Sequence, residues 1–132
     1  MFYLDSSAIL KLIVREPESA ALLVFLAAED EHASSGLAGV EVGRALWRID
    51  AGQQVRERAA EVLERISLIR MDEVILEEAA ALEPASLRSL DAIHLASALA
   101  LGNELSAVVT YDRRMAEGAI LCGLETAAPT QA

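Results

Sequence analysis

One cysteine, Cys122, stands in this chain of 132 residues, so no disulfide can form within it. That excludes a disulfide-framed secreted scaffold and makes a reducing cytoplasm the expected setting. Aromatic residues are scarce at 4%, while apolar residues reach 54% with alanine and leucine prominent. Such a composition belongs to a helix-rich globular domain, not to a disordered chain. Long apolar runs are missing too. The longest, Ala20 to Ala28, is too short to cross a bilayer, so no membrane association is expected. Met1 to Leu4 leads straight into Asp5 with no basic region and no small-residue cleavage site, which is not the pattern of a secretory leader. Positive charge is the last shortage: 11 Lys and Arg stand against 21 Asp and Glu, for a net charge of −10. A simple nucleic-acid binder usually presents a basic surface instead. The excess acid is therefore either solvated surface or partly gathered at a metal site, where cations reverse the local sign.

The pattern that is present alternates short apolar strands with helices. Phe2-Tyr3-Leu4 reads as a buried strand ending at Asp5, and Ser6 and Ser7 can cap a helix continuing over Ala8–Val14. Pro17 suits the first turn of a second helix reaching about Ala28, and His32–Ser35 is a weaker strand. Gly36 and Gly39 bracket the start of a third helix with its body over Val40–Asp50. Gly52 is read as a helix stop before a fourth helix over Val55–Arg65. Ile66–Ile69 has strand character, Glu73–Leu82 is helical and is closed by Pro84, and Ser86–Asp91 introduces a helix over Ala92–Leu101. Ala107–Tyr111 is rich in β-branched residues and is the clearest strand. A last helix runs to about Cys122, a short strand is placed near Leu124, and residues 126–132 read as a loose tail. The expectation is one domain over 1–132 of the α/β class. Its three α/β/α layers enclose a mostly parallel sheet of four to five strands.

Four acids stand out against this frame. Asp5 and Asp112 each follow a strand, and ligands of open parallel sheets bind outside the carboxyl ends of the strands. Asp91 opens a helix, and Glu41 lies among Leu37, Val40 and Val42, an unusual place for a carboxylate. Taken singly, each has an ordinary explanation. Asp91 fits a helix N-cap, Glu41 an exposed pair with Arg44, and Asp5 and Asp112 fit Asx-turns. The functional reading rests on the four together.

Leu4-Asp5-Ser6-Ser7-Ala8 resembles the opening strand–helix signature of PIN domains. Val40-Glu41-Val42-Gly43-Arg44 is similar to the acidic position on that family's third helix. Leu90-Asp91-Ala92-Ile93-His94-Leu95-Ala96 and Thr110-Tyr111-Asp112-Arg113-Arg114 resemble its third and fourth acidic motifs. The order is that of the family, nearly the whole chain is covered, and the short length resembles VapC toxins in particular. Many relatives carry a further acid or amide where this chain has Arg114. The resemblance implies a metal-dependent endoribonuclease, the toxin of a toxin–antitoxin pair. It also implies a homodimer and a VapB-type antitoxin whose peptide tail lies across the toxin.

On this reading Asp5, Glu41, Asp91 and Asp112 are the catalytic set. Asp5, Asp91 and Asp112 are expected to hold Mg²⁺ or Mn²⁺, the cations that hard carboxylate oxygens suit, with Glu41 joining directly or through water. Ser7 and Thr110 support them by hydrogen bonding. His32 and His94 make no zinc pattern, and His94 is expected to be packed or hydrogen-bonded within the fold. Lys11, Arg15, Arg44, Arg48, Arg88, Arg113 and Arg114 are seven of the eleven basic residues and all lie near one of the acids in sequence. They suggest a basic rim that steers RNA, transfer RNA among the candidates, with Arg15, Arg44 and Arg113 as substrate contacts. The ordinary alternative pairs several of them with neighbouring glutamates. Three other functions share some of these features. A phosphoacceptor domain also needs a late lysine, and the only lysine here is Lys11. A catalytically silent binding module would not need all four acids. A DNA-directed metal nuclease of the flap type would need more chain.

Overall fold

A computed structural model of the chain describes residues 1–131. Five strands form one sheet among the described residues: β1 (Phe2–Leu4), β2 (His32–Ser35), β3 (Ser67–Ile69), β4 (Ala107–Val109) and β5 (Thr126–Ala127). Their order across the sheet is β3-β2-β1-β4-β5, and every pairing is parallel. Seven helices connect and cover them: α1 (Ser6–Ile13), α2 (Ser19–Leu26), α3 (Leu37–Arg48), α4 (Gln53–Glu64), α5 (Glu73–Ala81), α6 (Ser89–Leu99) and α7 (Arg113–Leu121).

The two-residue period of a strand divides these helices between the faces of the sheet. Phe2, Leu4, Ala107 and Val109 pack with Ile9, Ile13, Leu22, Val42 and Leu46 from α1, α2 and α3, joined by Ala59 of α4. Tyr3 and Val108 face the other way, onto Leu95 and Ala98 of α6 and Met115 and Ala119 of α7. On that second side α5 is held by Ile75 and Ala79 against Ala92 and Ala96. The expected three-layer α/β/α architecture with a parallel sheet is therefore present, with five strands in the sheet. From β1 the chain steps outward to β2 and β3, then returns to the far side of β1 for β4 and β5. The reversal of direction at β1 accompanies the placement of the later helices on the opposite face. It also opens a crevice between the carboxyl ends of β1 and β4.

Several expectations shift in detail. The tail read over residues 126–132 is not loose at its start, and its last residue lies outside the described ones. Thr126 and Ala127 pair with Val108 and Val109, and the Tyr111 hydroxyl donates to the Pro129 carbonyl at 2.7 Å. The strand placed near Leu124 is thus two residues later. Helix α3 begins at Leu37, which leaves Gly39 inside its first turn. Asp50, at φ 52°, takes the left-handed conformation after α3, and Gly52 instead precedes α4 as its N-cap. Aspartate tolerates that region better than most side chains, so no glycine is needed there. No helix among the described residues is long and apolar enough to cross a membrane.

Candidate active site

Asp5 sits at the switch point. Its backbone N–H donates to Val109 on β4 at 3.2 Å, which extends the β1–β4 ladder by one bond. The side chain is 4% exposed and is held by three donors. Oδ1 accepts from the Ala8 amide at 3.1 Å and from Ser7 Oγ at 2.6 Å, and Oδ2 accepts from Thr110 Oγ1 at 2.5 Å. Asp5 is thus the N-cap of α1, the role expected of Ser6 and Ser7. Burial pushes its carboxyl above the usual aspartate range, and the bonds from Ser7 and Thr110 only partly oppose this.

The same hydroxyls tie the β1 and β4 turns together. Ser7 Oγ accepts from the Tyr111 amide at 2.9 Å, and Thr110 Oγ1 accepts from the Asp112 amide at 3.0 Å. Asp112 caps α7, its Oδ1 accepting from the amides of Arg114 at 2.9 Å and Met115 at 3.4 Å. Unlike Asp5, it is exposed.

Asp91 is not a cap. Arg88 holds that position, and Asp91 is the third residue of α6, half-buried, in the first turn where the helix dipole favours an acid. Its carboxyl is raised first by burial and next by the charge of Asp112, with Asp5 contributing in the same direction. The charges of His94 and Arg88 oppose this. The three aspartates therefore share one electrostatic environment, although they lie 86 and 21 residues apart in the chain (91 − 5 and 112 − 91).

Glu41 reaches the same neighbourhood from α3, on the opposite side of the sheet from α6. Its Oε1 lies 2.6 Å from His94 Nε2, and His94 Nδ1 lies 2.7 Å from the Tyr3 hydroxyl. The partner of Glu41 is thus His94, not Arg44. His94, expected to be packed or hydrogen-bonded, is 3% exposed and makes both bonds. Burial raises the Tyr3 hydroxyl far above the ordinary phenol range, so it stays protonated. The sequence alone did not connect Tyr3 to the site. The available signal was a tyrosine in a fully buried strand, whose hydroxyl must find a partner.

Whether these residues suit a divalent cation turns on donor chemistry and charge. Every candidate ligand is a carboxylate oxygen; burial disfavours the ionised form of Asp5, and burial followed by the charges of Asp112 and Asp5 disfavours that of Asp91. A bound cation relieves both penalties, so the set fits a hard metal ion. Among the described residues no three His, Cys, Asp or Glu side chains already converge closely enough to form a ready cage.

The basic residues divide into two groups. Lys11 is engaged elsewhere, at 2.8 Å from Glu16 and 3.3 Å from Glu18, with its ammonium 4.8 Å from the centre of the Tyr111 ring. That removes it from the expected rim. Arg15, Arg44, Arg48, Arg88, Arg113 and Arg114 are exposed, and none forms an ion pair among the described residues. Arg88 and Arg114 share a cleft with Asp91. Arg114 thus lines the same recess as one of the candidate ligands.

Comparison with known proteins bears on the family and the fold. The sequence pattern of the PIN domain matches residues 2–121. Ribonuclease VapC46 of Mycobacterium tuberculosis is 47% identical over 128 residues, covering 97% of each chain. Ribonuclease VapC47 of the same species is 40% identical over 133 residues, covering 98% of this chain and 97% of its own. Among solved structures, a toxin–antitoxin complex from Klebsiella pneumoniae contains a chain with TM-score 0.72 and 22% identity, with all of both chains covered. At that identity the likeness concerns the fold.

Proposed function

Since this chain belongs to the PIN-domain family, in its VapC-type branch, we propose that it is a Mg²⁺- or Mn²⁺-dependent endoribonuclease and the toxin of a toxin–antitoxin pair. The observation that carries the reading is the gathering of Asp91 with Asp112 and Asp5 near the sheet's switch point, where burial first, and then the charges of Asp112 and Asp5, raise the Asp91 carboxyl. Acids that repel one another in a crevice are arranged for a cation and the phosphate it brings. The relatives bearing the name ribonuclease supply the class of substrate.

Asp5, Asp91 and Asp112 would hold the ion. When bound, such a cation lowers the pKa of a water and offsets charge building on the phosphate. Ser7 and Thr110 keep both Asp5 oxygens fixed and leave one acceptor site free on Oδ2, since a carboxylate accepts about four bonds and this one receives three. Glu41, held by His94, is the fourth acid of the set and orients water or the attacking hydroxyl. Arg15, Arg44 and Arg113 contact phosphates and offset the overall negative charge locally. The protein works in the cytoplasm as a homodimer and is inhibited by a VapB-type antitoxin.

The test incubates purified, antitoxin-free protein with total RNA, transfer RNA and DNA in Mg²⁺ or Mn²⁺, with EDTA and an Asp5→Asn protein as controls. Discrete RNA fragments that vanish in both controls are expected, and mapping their ends identifies the target. Cleavage surviving Asp5→Asn sinks the site assignment. Cleavage of DNA alone overturns the ribonuclease reading, and a folded protein that cuts nothing is a silent binding module.

A further inference from the structure

Two buried polar rings lie between the strand that carries Asp5 and the helix that carries Asp91. Tyr3 is 0% exposed at the middle of the sheet, and His94 is 3% exposed on the inner side of α6. Their rings meet edge to face, 5.9 Å apart at 79°. The hydrogen bonds between them run in one direction. A carboxylate has no proton to give, so His94 Nε2 must carry the proton of the 2.6 Å bond to Glu41. His94 Nδ1 lies 2.7 Å from the Tyr3 hydroxyl, and in the tautomer with its only ring proton on Nε2 it accepts that hydroxyl's proton.

A phenylalanine and a leucine would fill this space without burying polar atoms, at lower cost to the core. What the polar pair adds lies at its end. The chain of bonds leaves the core at Glu41, whose side chain is 23% exposed. Among the described residues the second Glu41 oxygen has no hydrogen-bond partner. A glutamate has three freely turning bonds and would otherwise sample many positions. Here one oxygen is pinned by a ring that is itself pinned by the sheet, and the other is left to take a ligand.

We propose that Tyr3 and His94 are positioning residues, a buried two-ring relay that holds Glu41 in the geometry RNA cleavage requires. This rests on the ribonuclease reading. Neither ring touches substrate; both act through Glu41.

The experiment is a cycle of variants, each read by kcat, KM and the nitrogen NMR signals of ¹⁵N-labelled histidine. Tyr3→Phe and His94→Leu are each expected to lower kcat roughly 10- to 100-fold with KM little changed, the scale for groups that orient an active-site ligand. His94→Gln, which keeps an N–H donor, should recover part of the loss. In a Glu41→Ala protein, adding Tyr3→Phe should cost no more than about twofold, because the relay has nothing left to hold. Equal losses with and without Glu41 would show that the rings only support the fold, and would overturn the relay alone. NMR checks the same claim without RNA. The chain has two histidines, so His32→Asn assigns the His94 signals. Wild type should show His94 as the Nε2–H tautomer, and Tyr3→Phe should move it toward a mixture. An Nδ1–H tautomer in the wild type overturns the relay whatever the activity. The expected tautomer in a protein that cleaves no RNA overturns the ribonuclease reading, and the catalytic role of the relay with it.

Discussion

Thr110 shows how closely stability and function are joined at single side chains. Its hydroxyl is the donor to Asp5 Oδ2, and both side chains are buried. Thr110→Val keeps the shape and removes the donor, leaving a buried carboxylate oxygen without a partner. A loss of about 1–3 kcal/mol in urea unfolding is expected, together with a further rise of the Asp5 pKa. Asp91 gives the opposite sign. Its folded pKa lies above its unfolded value, so the folded state favours the protonated acid. The associated stability is fully present below the ordinary aspartate pKa and is lost as pH rises through the raised value. Asp91→Asn should therefore raise Tm near neutral pH while abolishing cleavage, and the gain in Tm should vanish when both proteins are melted at acid pH. Mg²⁺ or Mn²⁺ should raise the Tm of the wild type at neutral pH and have little effect on the variant. Much of this was legible in the sequence, because strand ends and helix starts fix where Asp5, Asp91 and Asp112 emerge. The link from Tyr3 through His94 to Glu41 was not, since it joins residues from three elements that only the packing of α6 and α3 against β1 brings within bonding distance.

Helix α7 starts from its N-cap Asp112, which is also one of the candidate ligands. Asp112 accepts from the Arg114 and Met115 amides, so Asp112→Ala should lower stability by about 1 kcal/mol, whereas Asp112→Asn, also a good cap, should stay within a few tenths. Both should lose RNA cleavage. Comparing chemical denaturation with activity thus separates the cap from the candidate ligand. At this scale the sequence was informative where propensity and burial agree, as in the β-branched run of β4 and the aromatic run of β1. It was less so where tertiary packing decides. The pairing of Thr126 and Ala127 with Val108 and Val109 gives β5 its strand character, although neither its length nor its composition announces one. Arg88, an uncommon cap residue, occupies the position that the preference for aspartate assigns to Asp91, because α6 begins two residues before Asp91.

For the whole molecule, a net charge of −10 opposes the approach of RNA, while exposed arginines, of which Arg88 and Arg114 line the cleft beside Asp91, favour it. If phosphate binding dominates, kcat/KM should fall as salt rises. Replacing Arg44 or Arg113 by alanine should then flatten the log–log slope by about 0.7 for each phosphate no longer neutralised, the value for single strands. Kinetics across a salt series decide it; an unchanged slope would remove that arginine from the interface. The strand order has a further consequence, for the time course of synthesis. β1 is translated first but has β4 as one of its two neighbours, and the Asp5–Thr110 bond closes a loop of 105 residues. Pairings so distant in sequence form late. A nascent chain that has already exposed Asp5, Glu41 and Asp91 still lacks the strand that flanks β1, the hydroxyl that steadies Asp5, and Asp112. On the proposed reading, a ribosome partway through this message carries no complete site until the segment with Thr110 and Asp112 has emerged.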